Sequence, residues 1–112
     1  MANEQSSVLT KLFNTIESRK QCSTQESYTA SLFAQGLAAI TDKVMEEASE
    51  VCEAANISTK DHLIYELADL FYHSLVLAAF KGIKFSEIEA ELANRFGKSG
   101  LAEKASRNKK QD

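Results

Sequence analysis

Apolar positions recur at helical intervals along most of the chain. Leu9, Leu12, Phe13 and Ile16 follow the i, i+3, i+4, i+7 spacing of one helix face, which predicts a first amphipathic helix ending near Arg19. The polar stretch Lys20–Ser27 reads as a loop, and Ser27 or Thr29 can cap a short helix over Ala30–Gln35 before Gly36 interrupts it. A third helix is expected from about Leu37 to Ala55, with the apolar stripe Ile40, Val44, Ala48, Val51 and Ala55. Asn56–Lys60 is a turn in which Asn56 serves as a C-cap and Ser58 or Thr59 caps a fourth helix running to about Phe80. Gly82 breaks that helix. Ser86 and Glu89 have capping-box spacing ahead of a last helix carrying Ile88, Leu92 and Phe96, which Gly97 and Gly100 end. No strand pattern or internal repeat competes with these, so the expectation is an all-α bundle of about four to five helices, one domain spanning residues 1–112.

Composition sharpens this picture in three ways. The chain has 112 residues, no Pro and a net charge of −3, which permits long helices and offers no general attraction to nucleic acid. The charge is uneven: residues 1–97 hold 8 Lys/Arg and 14 Asp/Glu, whereas residues 98–112 hold 5 and 2. A basic C-terminal tail on an acidic body could meet a phosphate, while Asn108–Asp112 reads as a frayed, solvated end. Cys22 and Cys52 lack the spacing of a zinc site or a disulfide framework, and Cys52 reads as a small core residue. The stretch Leu63–Phe80 is the most apolar, but Glu66, Asp69 and His73 argue against a membrane span. Met1–Val8 lacks the order of a signal peptide, so a cytoplasmic location is expected.

The chemistry is concentrated in acids. Helix three carries Glu46, Glu47 and Glu50, and helix four carries Glu66 and Asp69, giving E-x-x-E and E-x-x-D with 15 residues between them. Residues three apart on a helix differ by about 60° in azimuth, so each pair shares a face, and the intervening length allows a hairpin. Glu47 and Glu50 lie beside the apolar stripe, at the expected edge of the core. Glu66 and Asp69 are surrounded by Leu63, Ile64, Leu67, Leu70, Phe71, Leu75 and Leu77 and can hardly avoid partial burial. Converging, partly desolvated carboxylates need protons or cations, and oxygen-only ligands favour Mg²⁺ or Mn²⁺, which also coordinate phosphates. A solvated acidic face accounts for Glu53 but poorly for Glu66 and Asp69. A di-iron bundle would want Glu-x-x-His pairs, whereas His73 stands at i+4 from Asp69. His73 could orient a ligand or phosphate or be a satisfied bundle histidine. Lys43 could contact a phosphate or pair with Glu47 one turn on.

With these residues in view the chain resembles phosphoribosyl-ATP pyrophosphatases, within the all-α nucleotide pyrophosphohydrolase (MazG-like) superfamily. The superfamily pattern is matched by Glu47–Glu50 and Glu66–Asp69. The narrower likeness rests on Ser27-Tyr28-Thr29, on Lys43-Val44 leading into Glu46 to Val51, on Glu66 to Leu70 followed by Tyr72-His73, and on the tail Ser99 to Arg107. The resemblance implies hydrolysis of 1-(5-phospho-β-D-ribosyl)-ATP to the AMP derivative and pyrophosphate, the second step of histidine biosynthesis, by a homodimer. On that mechanism Glu47, Glu50, Glu66 and Asp69 are the expected Mg²⁺ ligands. Glu46 is a possible base that could equally face solvent, so the base is unassigned. Lys43, His73, Arg95, Lys104 and Arg107 are candidate substrate contacts, the cationic ones because such donors suit phosphate oxygens. Two other readings are a house-cleaning pyrophosphatase for another nucleoside triphosphate, against which the tail argues, and a non-catalytic helical dimerisation module.

Overall fold

Six α-helices and one 3₁₀ turn make up the regular structure among the described residues, 7–97 and 100–111 of the computed structural model, with no strand. Helix α1 spans Val8–Ser18 and runs into the 3₁₀ turn Arg19–Gln21; α2 spans Tyr28–Gln35, α3 Leu37–Ile57, α4 Lys60–Phe80, α5 Phe85–Asn94 and α6 Gly100–Gln111. Ser27 caps α2 by accepting from the Ala30 amide, and Thr59 caps α4 by accepting from the His62 amide. Gly36, at φ 97°, joins α2 to α3 in a conformation that side-chain-bearing residues rarely adopt, while its carbonyl accepts from the Ile40 amide.

Several boundaries differ from the sequence expectation for local reasons. Helix α3 continues to Ile57 because the Asn56 side chain donates back to the Cys52 carbonyl, and Ser58 takes the C-cap position instead. Helix α5 starts before Ser86: the Lys84 amide donates to the Glu87 carboxylate, so the reciprocal acid at the helix start is Glu87, not Glu89. Gly100 opens a helix where the pattern predicts an end. The segment after it is rich in Ala, Lys and Arg, good helix formers, and is helical through Gln111, including most of the stretch expected to fray. Ser99 and Asp112 lie outside the described residues. Cys52 is exposed on α3 instead of buried, and both cysteines are free.

The core occupies one end of the bundle. Phe13 and Ile16 of α1, Leu32 of α2, Ile40 of α3, the run Leu75, Val76, Ala78 and Ala79 of α4, and Phe85 of α5 form one cluster. Lys20 reaches across to donate to the Ala79 carbonyl at 2.9 Å, a second donor to an acceptor at the C-terminus of α4 that also receives the Gly82 amide at 3.1 Å. The C-terminal half of α4 is therefore largely enclosed, with Ser74 and Phe80 left exposed. Its N-terminal half packs on α3 and leaves Ile64, Leu67 and Phe71 exposed. By length and composition α4 could cross a membrane, yet the face it turns inward carries buried Glu66 and His73. Ile40 is fully buried at the point where α1, α2 and α4 meet α3. Its replacement by Ala is expected to cost about 2–5 kcal/mol of unfolding free energy, measured by urea denaturation with the m-value unchanged.

Candidate metal centre

The two long helices bring the acids together through their buried lines of contact. On α3 the buried residues are Ile40, Glu47 and Ala54, seven residues apart, so Glu47 sits on the packed seam itself, not at its edge. It is only 3% exposed. On α4 the partner is Glu66, 8% exposed, with half-buried Asp69 one turn on. The burial of Glu66 comes only in part from the apolar residues expected to enclose it: Leu63 and Leu70 lie within about 60° of it and are half-buried. Ile64, Leu67 and Phe71 stand about 100–160° around the helix from Glu66 and face outward, so α3 provides the rest of the cover.

Carboxylate oxygens of Glu47, Glu66 and Asp69 lie within 4.8 Å of one another, and so do those of Glu46, Glu47 and Glu50. Glu47 belongs to both sets and links them. The four acids expected to act as one group, together with Glu46, thus form two overlapping triads, with Glu50 on the α3 side and exposed Glu46 at the rim. Each buried glutamate is half satisfied. Oε2 of Glu47 faces the Lys43 ammonium at 3.4 Å, and Oε2 of Glu66 faces His62 Nε2 at 3.3 Å. In both, the partner stands one turn earlier on the same helix. In both, Oε1 is buried with no hydrogen-bond partner.

Electrostatics follow from that geometry. Burial pushes the Glu47 carboxyl above its ordinary value, with the charges of Asp69 and Glu50 adding to the effect and Lys43 opposing it. Lys43 is itself held above the ordinary lysine value. Burial pulls it the other way, and a hydrogen bond to Glu46 at 3.2 Å, the phenolate that Tyr28 would become at high pH, the negative charge of Glu46 and the hydrogen bond to Glu47 outweigh it. Orphaned carboxylate oxygens in a desolvated place are costly unless something positive meets them. An all-oxygen set of this kind fits a hard divalent cation, so these acids could hold a metal ion.

The other expected site residues divide clearly. Lys43 lies in the cluster. His73 is buried behind it with both ring nitrogens engaged: Nε2 is 3.0 Å from the Tyr28 hydroxyl and Nδ1 is 2.9 Å from the Asp69 carbonyl. Its reach to a ligand therefore runs through Tyr28. Arg95 pairs with Glu91 on α5 at 3.1 Å, and no hydrogen bond or ion pair among the described residues joins it to the acids. Lys104 and Arg107 are exposed on α6. His62 and the hydroxyl of Tyr28 were not expected at the site from charge patterning. The available signals were the i, i+4 spacing of His62 to Glu66 and the cap position of Ser27, which begins α2 at Tyr28.

A sequence model described as phosphoribosyl-ATP pyrophosphohydrolase matches residues 9–96. Proteins named phosphoribosyl-ATP pyrophosphatase are similar over nearly the whole chain. The one from Ruthia magnifica subsp. Calyptogena magnifica is 48% identical, covering 90% of this chain and 96% of its own. That of Geobacter metallireducens is 47% identical, covering 96% and 98%, and that of Trichlorobacter lovleyi is 48% identical, covering 94% and 97%. With a buried acidic centre on an α-helical hairpin and these likenesses over most of its length, the chain belongs to the phosphoribosyl-ATP pyrophosphohydrolase family.

Proposed function

We propose that this chain hydrolyses 1-(5-phospho-β-D-ribosyl)-ATP to 1-(5-phospho-β-D-ribosyl)-AMP and pyrophosphate, as the Mg²⁺-dependent second step of histidine biosynthesis in the cytoplasm. Family membership supports the substrate. The observation that carries the chemistry is the pair of buried, unpartnered oxygens, Oε1 of Glu47 and of Glu66, beside Asp69. Glu47, Glu50, Glu66 and Asp69 would hold Mg²⁺. When bound, the ion would neutralise charge on the polyphosphate and lower the pKa of the attacking water. Lys43 holds Glu47 by one oxygen and leaves the other without a protein partner, so that it could serve as a ligand to Mg²⁺. Glu46, exposed at the rim, is the carboxylate open to accept a proton from water. Arg95, Lys104 and Arg107 supply cationic donors of the kind that suit the triphosphate and the ribosyl phosphate.

We also assign a homodimer. Ile64, Leu67 and Phe71 form an exposed apolar stripe on the half of α4 that only α3 covers, and Met45 and Ile57 extend exposed apolar surface along α3. Light scattering after gel filtration is expected to give twice the monomer mass, and Phe71→Glu to give the monomer.

The activity test is pyrophosphate release from phosphoribosyl-ATP with and without Mg²⁺. Release from dCTP or dUTP in its place would establish a house-cleaning enzyme instead. Glu66→Gln and Asp69→Asn are each expected to lower turnover at least about a hundredfold while helical circular dichroism is retained. Full activity in both variants would refute the centre.

Glu47 gives a pH-dependent prediction. Its folded-state pKa is raised, so the folded protein binds more protons than the unfolded chain between the ordinary glutamate range and that raised value. The contribution of Glu47 to the stability of the metal-free protein is therefore fully present below that range and is lost as pH rises through it. Glu47→Gln is expected to raise the melting temperature in EDTA at pH 7.5 by several degrees, corresponding to about 1 kcal/mol or more. Added Mg²⁺ is expected to stabilise the wild type but not this variant.

A further inference from the structure

We propose that Tyr28 is a positioning residue for the nucleotide, held by His73 as an acceptor-only oxygen at the mouth of the acidic cluster. The inference rests on the hydrolase reading above and deepens it. Asp69 presents its main-chain carbonyl to His73 Nδ1 at 2.9 Å, and a carbonyl only accepts, so Nδ1 carries the proton. In the neutral ring Nε2 is then bare, and it accepts the Tyr28 O–H at 3.0 Å. With its only proton committed, the phenol oxygen has nothing left but lone pairs. Such an oxygen repels phosphate oxygens and suits a hydroxyl or amine of the sugar or base.

The surroundings fix the ring on one side and leave it open on the other. Tyr28 stacks on Tyr72 at 6.4 Å between centroids and meets the His73 ring edge-on at 5.9 Å, while the Tyr72 hydroxyl is hydrogen-bonded to Thr29. Its remaining surface is 52% exposed. The hydroxyl is one imidazole ring away from the Asp69 carbonyl, which puts it beside the turn of α4 that bears the acids and not on a distant face. Through His73 the first residue of α2 is tied to the turn of α4 that carries Glu66 and Asp69. Displacement of either end would move the acceptor relative to the cluster.

Two kinds of measurement test this. Nitrogen-15 chemical shifts of His73 in the resting protein are expected to show a protonated Nδ1 and a bare Nε2, the reverse of the tautomer free imidazoles prefer, and the Nε2 shift should move in Tyr28→Phe. A protonated Nε2 in the neutral wild-type ring overturns the proposal. In steady-state assays Tyr28→Phe is expected to raise KM for phosphoribosyl-ATP about three- to tenfold with little change in kcat. Inhibition by pyrophosphate should be unaltered. His73→Leu should cause a comparable loss, the double variant no more than the worse single one, and His73→Gln, whose amide both donates and accepts, should recover part of it. An unchanged KM in Tyr28→Phe, or an equal weakening of pyrophosphate inhibition, sinks the proposal while leaving the hydrolase reading intact. Absence of wild-type turnover sinks that reading itself.

Discussion

Glu47 occupies a place where packing alone would call for an apolar side chain, midway between Ile40 and Ala54 on the buried line of α3. Desolvating a carboxylate there works against folding, and the charges of Asp69 and Glu50 add repulsion. The hairpin tolerates this arrangement because each buried glutamate gives one oxygen to a donor one turn earlier, Lys43 or His62. The second oxygen of each is left without a protein partner. Stability is thereby sacrificed at the place where a cation is wanted, a trade that recurs at functional sites.

That sacrifice requires the rest of the molecule to compensate elsewhere, and the division along α4 shows how. Leu75, Val76, Ala78 and Ala79 are enclosed by α1, α2, α3 and α5, making one end of the bundle a conventional core. The other end of α4 carries the acids inward and Ile64, Leu67 and Phe71 outward. A single helix therefore anchors the fold with its last turns and builds the site with its first ones. The exposed stripe on that same half means that the proposed dimer contact and the candidate metal centre share one pair of helices. Covering the stripe would stiffen the hairpin that holds the acids.

Helix order and type were legible because the 3.6-residue period is strong and Gly36 and Gly82 punctuate it. The ends were less so, since they depend on single side-chain bonds such as Asn56 to Cys52 and Glu87 to Lys84, which periodicity does not report. The acids were legible as pairs. Their burial was expected for a partly different reason: a helix surrounded by leucines looks enclosed in sequence, but only contact with α3 decides which arc is covered. The same limit explains Cys52, small enough for a core yet turned to solvent. His73 could be read as a ligand or as a satisfied histidine, and only the positions of Tyr28 and the Asp69 carbonyl, brought together by tertiary packing, distinguish those states.

The source of specificity moves as a result. Four carboxylates and a divalent cation can grip the polyphosphate of any nucleotide, so the acids cannot by themselves choose a substrate. In the sequence the discriminating segment is the tail from Ser99 to Arg107, yet the family match over residues 9–96 is complete before that segment begins. Residues that separate this family from other polyphosphate hydrolases therefore also lie within α1 to α5. Tyr28, Thr29, Tyr72 and His73 form a hydrogen-bonded aromatic group there, tied to the main chain of Asp69 through His73 and contributed by two helices. Helix α6 adds positive charge in a region holding 5 Lys/Arg against 2 Asp/Glu. Charge of that kind strengthens binding of a substrate with an additional phosphate without reading its shape. Recognition of shape then falls to the aromatic group, where a fixed acceptor and an open ring face can distinguish one nucleotide from another.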